Sequence, residues 1–421
     1  MPPADESEIL FLPCAAGVEE LLAEEVQQIA GAEVEIYVRR GGVSALVAKA
    51  AATGLTMRLN LESRLAQRVL WCVAEHTYQD EEDIYALTRR VRWADWITPQ
   101  QTLRVDVTAT RSPLRSLKFA ALRVKDAVCD QLRASAGARP SVDTRRPDLP
   151  LVLHLGAEQL ALYVDTSGEA LFKRGWRDDA GEAPLKETLA AALLAAAGWR
   201  GLADDGPLLD PCCGAGTIAI EAAQLACGIA PGARRPFAFE RLGPFRDAAT
   251  AWQRLRDAAD ARVHAPRVPV FASDVSFRMT DFTQRNAERA GVRHAIEIKT
   301  ADALQRPAPA SSGTMLLNPP YGERIGAKGS QRAGRAPRSD ADSGGTPSEF
   351  FVQLASHWKQ HYSGWTAWIL SPDMRLPSVL RLKESRRVPL WNGPIECRLF
   401  RFDMVAGSAR GPRRDGSPAS P

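Results

Sequence analysis

Residues 208–226, LLDPCCGAGTIAIEAAQLA, constrain the chain more than any other stretch. Apolar residues run into Asp210 as a strand would, a turn holding Gly214 and Gly216 follows, and a helix is expected from about Thr217. A glycine turn between a strand end and a helix start is typical of open α/β sheets. Ligands in such sheets bind outside the carboxyl ends of the strands, where the strand order reverses. Glycine lets the backbone approach the ligand and turns free N–H groups toward it. There is no third glycine in dinucleotide spacing and no Gly-Lys-Ser/Thr, so a phosphate cradle is disfavoured.

The remainder of residues 167–405 fits that sheet. VFASD, IEIKTAD, TMLLN and TAWILS are short apolar strands with helical stretches between most of them, which predicts a parallel, doubly wound architecture. Asp210 suits a ligand with an amino group, such as the ammonium of S-adenosylmethionine. The next strand end should carry an acid for ribose hydroxyls. Asp274, after a buried-strand pattern, fits better than Glu240, which follows an irregular Pro-containing segment. Asp274 stands 64 residues after Asp210, against a usual ~20. A helical insertion is therefore required, and RDAATAWQRLRDAADAR supplies it. Asp274 could also simply cap the helix after it. Asp302, at the third strand end, could accept from an adenine amino group.

TMLLNPPYGERIG follows about a hundred residues after the glycine turn. An exocyclic amino group on a base is a poor nucleophile because its lone pair is delocalised into the ring. The side-chain oxygen of Asn318 and the carbonyl of Pro319 can each accept one N–H, which orients the nitrogen and lets it pyramidalise. Pro319 and Pro320 fix φ, so the acceptor carbonyl is pre-aimed. Tyr321 can stack on the base, worth roughly 1–3 kcal/mol. Asn-Pro is also an ordinary turn signal. Its position on a later strand end of the same sheet favours the chemical role.

Two α+β units come first. Residues 1–52 read as β-α-β-β, and residues 53–166 mix strands with a basic helix. Net charge is only +4, but between Arg104 and Arg146 ten Lys/Arg face four Asp/Glu, a local excess of six. A basic segment in a near-neutral chain suggests a polyanion-binding surface. Arg111, Arg115, Lys118, Arg123 and Lys125 are its candidate RNA contacts, although such a cluster can be a solvated face. Residues 328–345 hold no large apolar side chain and read as a flexible insertion, and residues 406–421 as a disordered tail.

Other features carry little chemistry. Seven cysteines without C-x-x-C or regular spacing argue against a disulfide framework or zinc ribbon, and a reducing cytoplasm is expected. The acidic start is unlike a signal peptide, and no run approaches the roughly 20 apolar residues of a membrane span. His357 and His361 lack the Glu of H-E-x-x-H and a third ligand, so no metal is expected. Adjacent Cys212 and Cys213 read as small residues in a tight loop, and Trp176, Trp199 and Trp391 as packing.

DPCCGAGT together with NPPYGERIG resembles the S-adenosylmethionine-dependent methyltransferases that modify amino groups of guanine or adenine. LFKRGWRDDAGEAPLKETLAAALL resembles the entry segment of one branch, the THUMP-domain RNA guanine-N2 methyltransferases. LPCAAGVEELLAEEV resembles that branch's ferredoxin-like unit, and SLKFAALRVKDAVCDQL with PSVDTRRPDLPLVLHL its THUMP domain. The likeness spans residues 8–405 and is nearest to the bacterial large-subunit (23S) ribosomal RNA group. It implies a Rossmann-like methyltransferase sheet preceded by a ferredoxin-like α+β unit and a THUMP domain. It implies adenosylmethionine held through Asp210, Gly214, Gly216, Asp274 and Asp302, and guanine received at Asn318–Tyr321. RNA, as 23S rRNA or a large-subunit precursor, would be gripped by the first two units. The 7-methylguanine activity fused to some members is not implied. Cys212 departs from the pattern, as does the insertion beside the catalytic loop. Guanine over adenine, and ribosomal over transfer RNA, rest on resemblance alone. DNA adenine or protein glutamine methylation, and an inactive RNA-binding assembly factor, are the competing readings. The basic module disfavours the protein substrate, and the intact motif residues disfavour the inactive form.

Overall fold

The computed structural model describes residues 7–181, 184–319 and 347–405. Pro320, Tyr321, the 328–345 insertion and the 406–421 tail lie outside them.

The chain opens with β1 (Ser7–Pro13), α1 (Glu19–Ala30), β2 (Glu35–Arg39), β3 (Gly42–Ala48) and α2 (Lys49–Glu62). Val18, Leu22, Val26 and Ile29 line the buried side of α1 at helical spacing. Next come β4 (Leu70–Thr77), α3 (Glu81–Arg90), β5 (Thr102–Ala109), α4 (Leu117–Ala136), β6 (Ser141–Val142), β7 (Leu149–Leu155) and β8 (Gln159–Asp165). Asp80 and Asp83 form a capping box at the start of α3, and Ser116 caps α4 through the Phe119 amide. All eight strands join one sheet in the order β2-β3-β1-β4-β8-β7-β5-β6. The seam between β1 and β4 is short, Leu10 opposite Trp71 and Phe11 opposite Leu70. The boundary expected at residue 52 falls within α2.

The second half contains α5 (Glu187–Ala197), β9 (Leu208–Asp210), α6 (Thr217–Ala226), α7 (Ala249–Ala261), β10 (Val270–Asp274), α8 (Phe277–Ala290), β11 (Ile296–Thr300) and β12 (Gly313–Leu317). It closes with α9 (Pro347–His361), β13 (Trp365–Ser371), α10 (Leu376–Leu380), β14 (Arg386–Asn392) and β15 (Ile395–Asp403). The order is β11-β10-β9-β12-β13-β15-β14. The first five of these strands are parallel. Successive residues of β9 face opposite layers: Leu208 packs with α5, α6 and α8, and Leu209 with α9 and β13. The chain builds outward from β9 in one direction and then the other, so the switch point lies between β9 and β12.

One expectation needs correction. The sheet is not parallel throughout, because β15 pairs antiparallel with β13 and β14 with β15. Pro389 obscures β14 in the sequence, but an edge strand tolerates a residue without an N–H.

Polar contacts join the two halves. Arg64 and Arg174 both reach the fully buried Glu221 of α6, at 3.4 and 3.1 Å, and Arg174 also donates to the Arg64 carbonyl. At the junction itself, Asn60 of α2 donates to Thr166, the last residue of the first half, and accepts from Ser167, the first of the second. The Trp391 amide donates to the Ala16 carbonyl at 3.1 Å.

Candidate active site

Asp210 ends β9 with its side chain 1 % exposed. One oxygen accepts the Cys212 amide at 3.3 Å. Burial pushes its pKa up to about 8, and the neighbouring Asp274 charge adds to the shift against the opposing Cys212 contact. At neutral pH this buried carboxyl is mostly protonated, and an ammonium beside it would draw it to the ionised form.

The glycine turn needs its glycines. Gly214 has φ 53° and Gly216 φ 87°, both left-handed. A Cβ on Gly216 would lie 2.7 Å from Thr283 Cγ2. The turn is clamped from α8: the Thr283 hydroxyl donates to the Gly214 carbonyl at 2.8 Å and the Asn286 amide to the Ala215 carbonyl at 3.0 Å. Asp274 receives the Gly214 amide on one oxygen at 3.0 Å and the Ser276 amide on the other at 2.9 Å. It therefore ties the turn to α8, and burial raises its pKa too. Val275 and Phe277, immediately after it, are exposed.

Asp302 lies two residues beyond β11, half-buried, with an oxygen on the Leu304 amide at 2.9 Å. Asp210, Asp274 and Asp302 converge around Cys212. Their charges join burial in pushing that thiol well above its ordinary pKa, so it is not a thiolate nucleophile.

Asn318 directly follows β12, the neighbour of β9 across the switch point. Met315 pairs with Leu209, which puts Asn318 two residues past the level of Asp210 at the same end of the sheet. A strand rises about 3.3 Å per residue, so the offset along the strand is roughly 7 Å. Asn318 is half-buried and Pro319 buried.

Sequence reasoning marked the segment leading into α5 only by resemblance and gave no residue in it a role. Arg177 donates to Glu187, to the Leu185 carbonyl and to Thr217, the first residue of α6. Arg289 holds the Trp176 carbonyl and Asp179, and Asn286 holds the Asp179 carbonyl. This latch runs beside the glycine turn. A signal existed: Thr283 and Asn286 are polar residues on the buried stripe of an amphipathic helix. His357 engages the Arg306 carbonyl at 2.7 Å, and its ring lies 4.7 Å from that of His361.

The five candidate RNA contacts divide into two groups. Arg123 is paired with Glu82 and lies 4.3 Å over the Tyr85 ring, and Lys125 pairs with Asp126 at 2.9 Å. Arg111, Arg115 and Lys118 are exposed and have no ion pair among the described residues.

The strand order, the glycine turn and the acids at successive strand ends define the S-adenosylmethionine-dependent methyltransferase fold. Family models match the chain at residues 9–70 (RlmL ferredoxin-like domain), 78–165 (THUMP domain) and 174–333 (RMKL-like methyltransferase domain). The chain thus carries an RlmL-type ferredoxin-like domain, a THUMP domain and an RMKL-like methyltransferase domain. It is 34% identical over 407 residues to a protein named ribosomal RNA large subunit methyltransferase K/L from Shewanella amazonensis, with 95% of this chain and 54% of the relative covered. The chain thus spans about half the length of the curated relatives it matches. Among solved structures, SMU.472 in complex with SAH superposes with a TM-score of 0.80 at 24% identity, covering 94% of this chain and 98% of the other. A structure named as a predicted N6-adenine-specific DNA methylase from Listeria monocytogenes gives 0.79 at 24%, covering 94% and 96%. At such identity these two likenesses concern the fold alone.

Proposed function

We propose that this protein transfers a methyl group from S-adenosylmethionine to the N2 amino group of a guanine in large-subunit (23S) ribosomal RNA, acting in the cytoplasm on free RNA or a precursor particle. The single observation that carries the amino-group chemistry is the placement of Asn318 beside Asp210 across the switch point. The name of the similar Shewanella amazonensis protein, ribosomal RNA large subunit methyltransferase K/L, supports a ribosomal substrate.

The residues present fit the cofactor. Asp210 is buried at the strand end and, once ionised, can pair with an ammonium; Gly214 and Gly216 put no side chain in the way; Asp274 and Asp302 offer carboxylates for ribose and adenine. When bound, adenosylmethionine supplies an electrophilic methyl on a sulfonium. Asn318 Oδ1 and the Pro319 carbonyl each accept an N–H of the target amino group and aim its nitrogen. Most of the rate enhancement comes from that positioning at near-attack distance. The nitrogen's proton becomes acidic only after methyl transfer, and Asn318 Oδ1 holds it until it passes to solvent. No side chain of shifted pKa is needed as a base. Pro320 and Tyr321, expected from the sequence to share in receiving the guanine, lie outside the described residues. The ferredoxin-like and THUMP units are proposed to hold the RNA.

The test is a labelled-methyl assay on ribosomal RNA that lacks the modification, with mass spectrometry of the product nucleosides. N2-methylguanosine is expected; N6-methyladenosine, or no transfer, would overturn the reading.

A further inference from the structure

The loop entering α4 has a fixed shape. The Thr110 amide donates to the Leu155 carbonyl at 2.8 Å, and Tyr78 donates to Ser112 at 2.7 Å. Arg111 is held at φ 59°, a left-handed conformation that is unfavourable for a residue with a Cβ. In α4 itself, Ala120, Val124, Ala127 and Val128 face the core. The opposite face of its first two turns carries Lys118, Phe119 and Leu122, with Phe119 49% and Leu122 41% exposed. Asp126, further along that face, is already paired with Lys125. An apolar ledge thus stands among the three cations Arg111, Arg115 and Lys118.

We infer that this corner binds an unpaired stretch of RNA, with one base stacked on Phe119 and the adjoining phosphates on Arg111, Arg115 and Lys118. The inference rests on the RNA reading above and names the form of RNA it takes. The chemistry of the patch selects that form. A ring exposed beside cations complements a nucleic acid that offers both a base face and phosphates. An A-form duplex buries its base faces in the stack and presents only phosphates and 2′-hydroxyls. A single strand offers both, and a base–aromatic stack tolerates any sequence. A surface built only for phosphate would gain nothing from Phe119 and Leu122 in water.

Fluorescence anisotropy with a labelled single-stranded oligonucleotide of mixed sequence, and with its duplex, tests this. Wild type is expected to prefer the single strand. Phe119→Ala should weaken single-strand binding on the order of 10–100-fold, the worth of one stacked base. It should leave duplex binding, salt dependence and the melting temperature unchanged. Phe119→Trp should bind like wild type, and Phe119→Leu like Phe119→Ala. Unchanged single-strand affinity in Phe119→Ala, wild-type affinity in Phe119→Leu, or preference for the duplex would each overturn the inference. Wild type that binds neither RNA would instead overturn the RNA reading itself.

Discussion

The carboxylate of Asp274 accepts the backbone N–H of Gly214 at 3.0 Å, so the end of β10 fixes the glycine turn that follows β9. An acid expected to serve a ligand thus also shapes the loop beside it. Asp274→Ala and Asp210→Ala should each weaken adenosylmethionine binding by about 1.5–3 kcal/mol, the value of a hydrogen bond to a charged group. Calorimetry on folded variants checks this, and wild-type affinity in both would remove these acids from the site. Asp274→Asn keeps an acceptor for Gly214 and should lose less than Asp274→Ala.

Cofactor affinity should depend on pH through Asp210. Its carboxyl holds a proton up to about 8, against 3.8 for an ordinary aspartate. The folded apo chain therefore binds more protons than the unfolded chain across that interval. This group's contribution to stability is complete below about 3.8 and is lost as pH rises toward about 8. A cationic amine requires the carboxylate, so affinity should fall up to about tenfold per pH unit below that point. An α-amino group titrates near 7.7–8.0, so affinity should also fall on the alkaline side. Titration calorimetry from acid to alkaline pH should give a bell, and Asp210→Asn should flatten its acid limb alone.

Asn318→Ala should abolish turnover while leaving cofactor and RNA affinity nearly intact. Its contact with the nitrogen strengthens mainly as the methyl approaches, so the loss appears in kcat. The effect should be on the order of 10²–10³ by analogy with an oxyanion-hole donor. Asn318→Asp keeps an acceptor and should retain part of the activity. Single-turnover methylation decides between them, and full activity in Asn318→Ala would reject the amino-methyltransferase reading.

The division of the basic cluster makes RNA binding selective among its members. Replacing Arg111, Arg115 and Lys118 together should flatten the log–log salt dependence by about two to three units. Replacing Arg123 and Lys125 should change it much less, since Glu82 and Asp126 already occupy them. Equal effects of the two sets would mean the intramolecular pairs open on binding.

Glu221→Ala should destabilise the chain by about 3–5 kcal/mol, because it leaves Arg64 and Arg174 buried without their carboxylate. Glu169→Ala, which breaks an exposed pair with Lys173, should cost less than about 1 kcal/mol. Urea unfolding midpoints compare the two.

The sequence displayed the strand-end chemistry because short apolar strands, a glycine turn and single acids are local features. Asp210 and Asn318 could be assigned to strand ends, and Gly216 to the turn, without any tertiary information. What holds them was less visible. Thr283 and Asn286 act across about 70 residues on the turn, and Arg177 acts on Thr217 at a distance of 40 residues. The hairpin of β14 and β15 escaped notice because Pro389 and alternating charges mimic a loop. Neither was the sorting of the basic residues legible, since the partners of Arg123, Glu82 and Tyr85, belong to another helix.

The contact between Ala16 and Trp391 has a consequence for how the molecule is made. A Cβ on Gly17 would lie 2.3 Å from the Pro389 carbonyl, so the two backbones are in close contact where they meet. As the chain leaves the ribosome, the first α+β unit can form its own sheet pairs early. Its turn at residues 14–17 must wait for more than 370 further residues before the strand that covers it exists. Until then the carbonyl of Ala16 has no Trp391 amide to accept from, so this corner of the first unit is completed last.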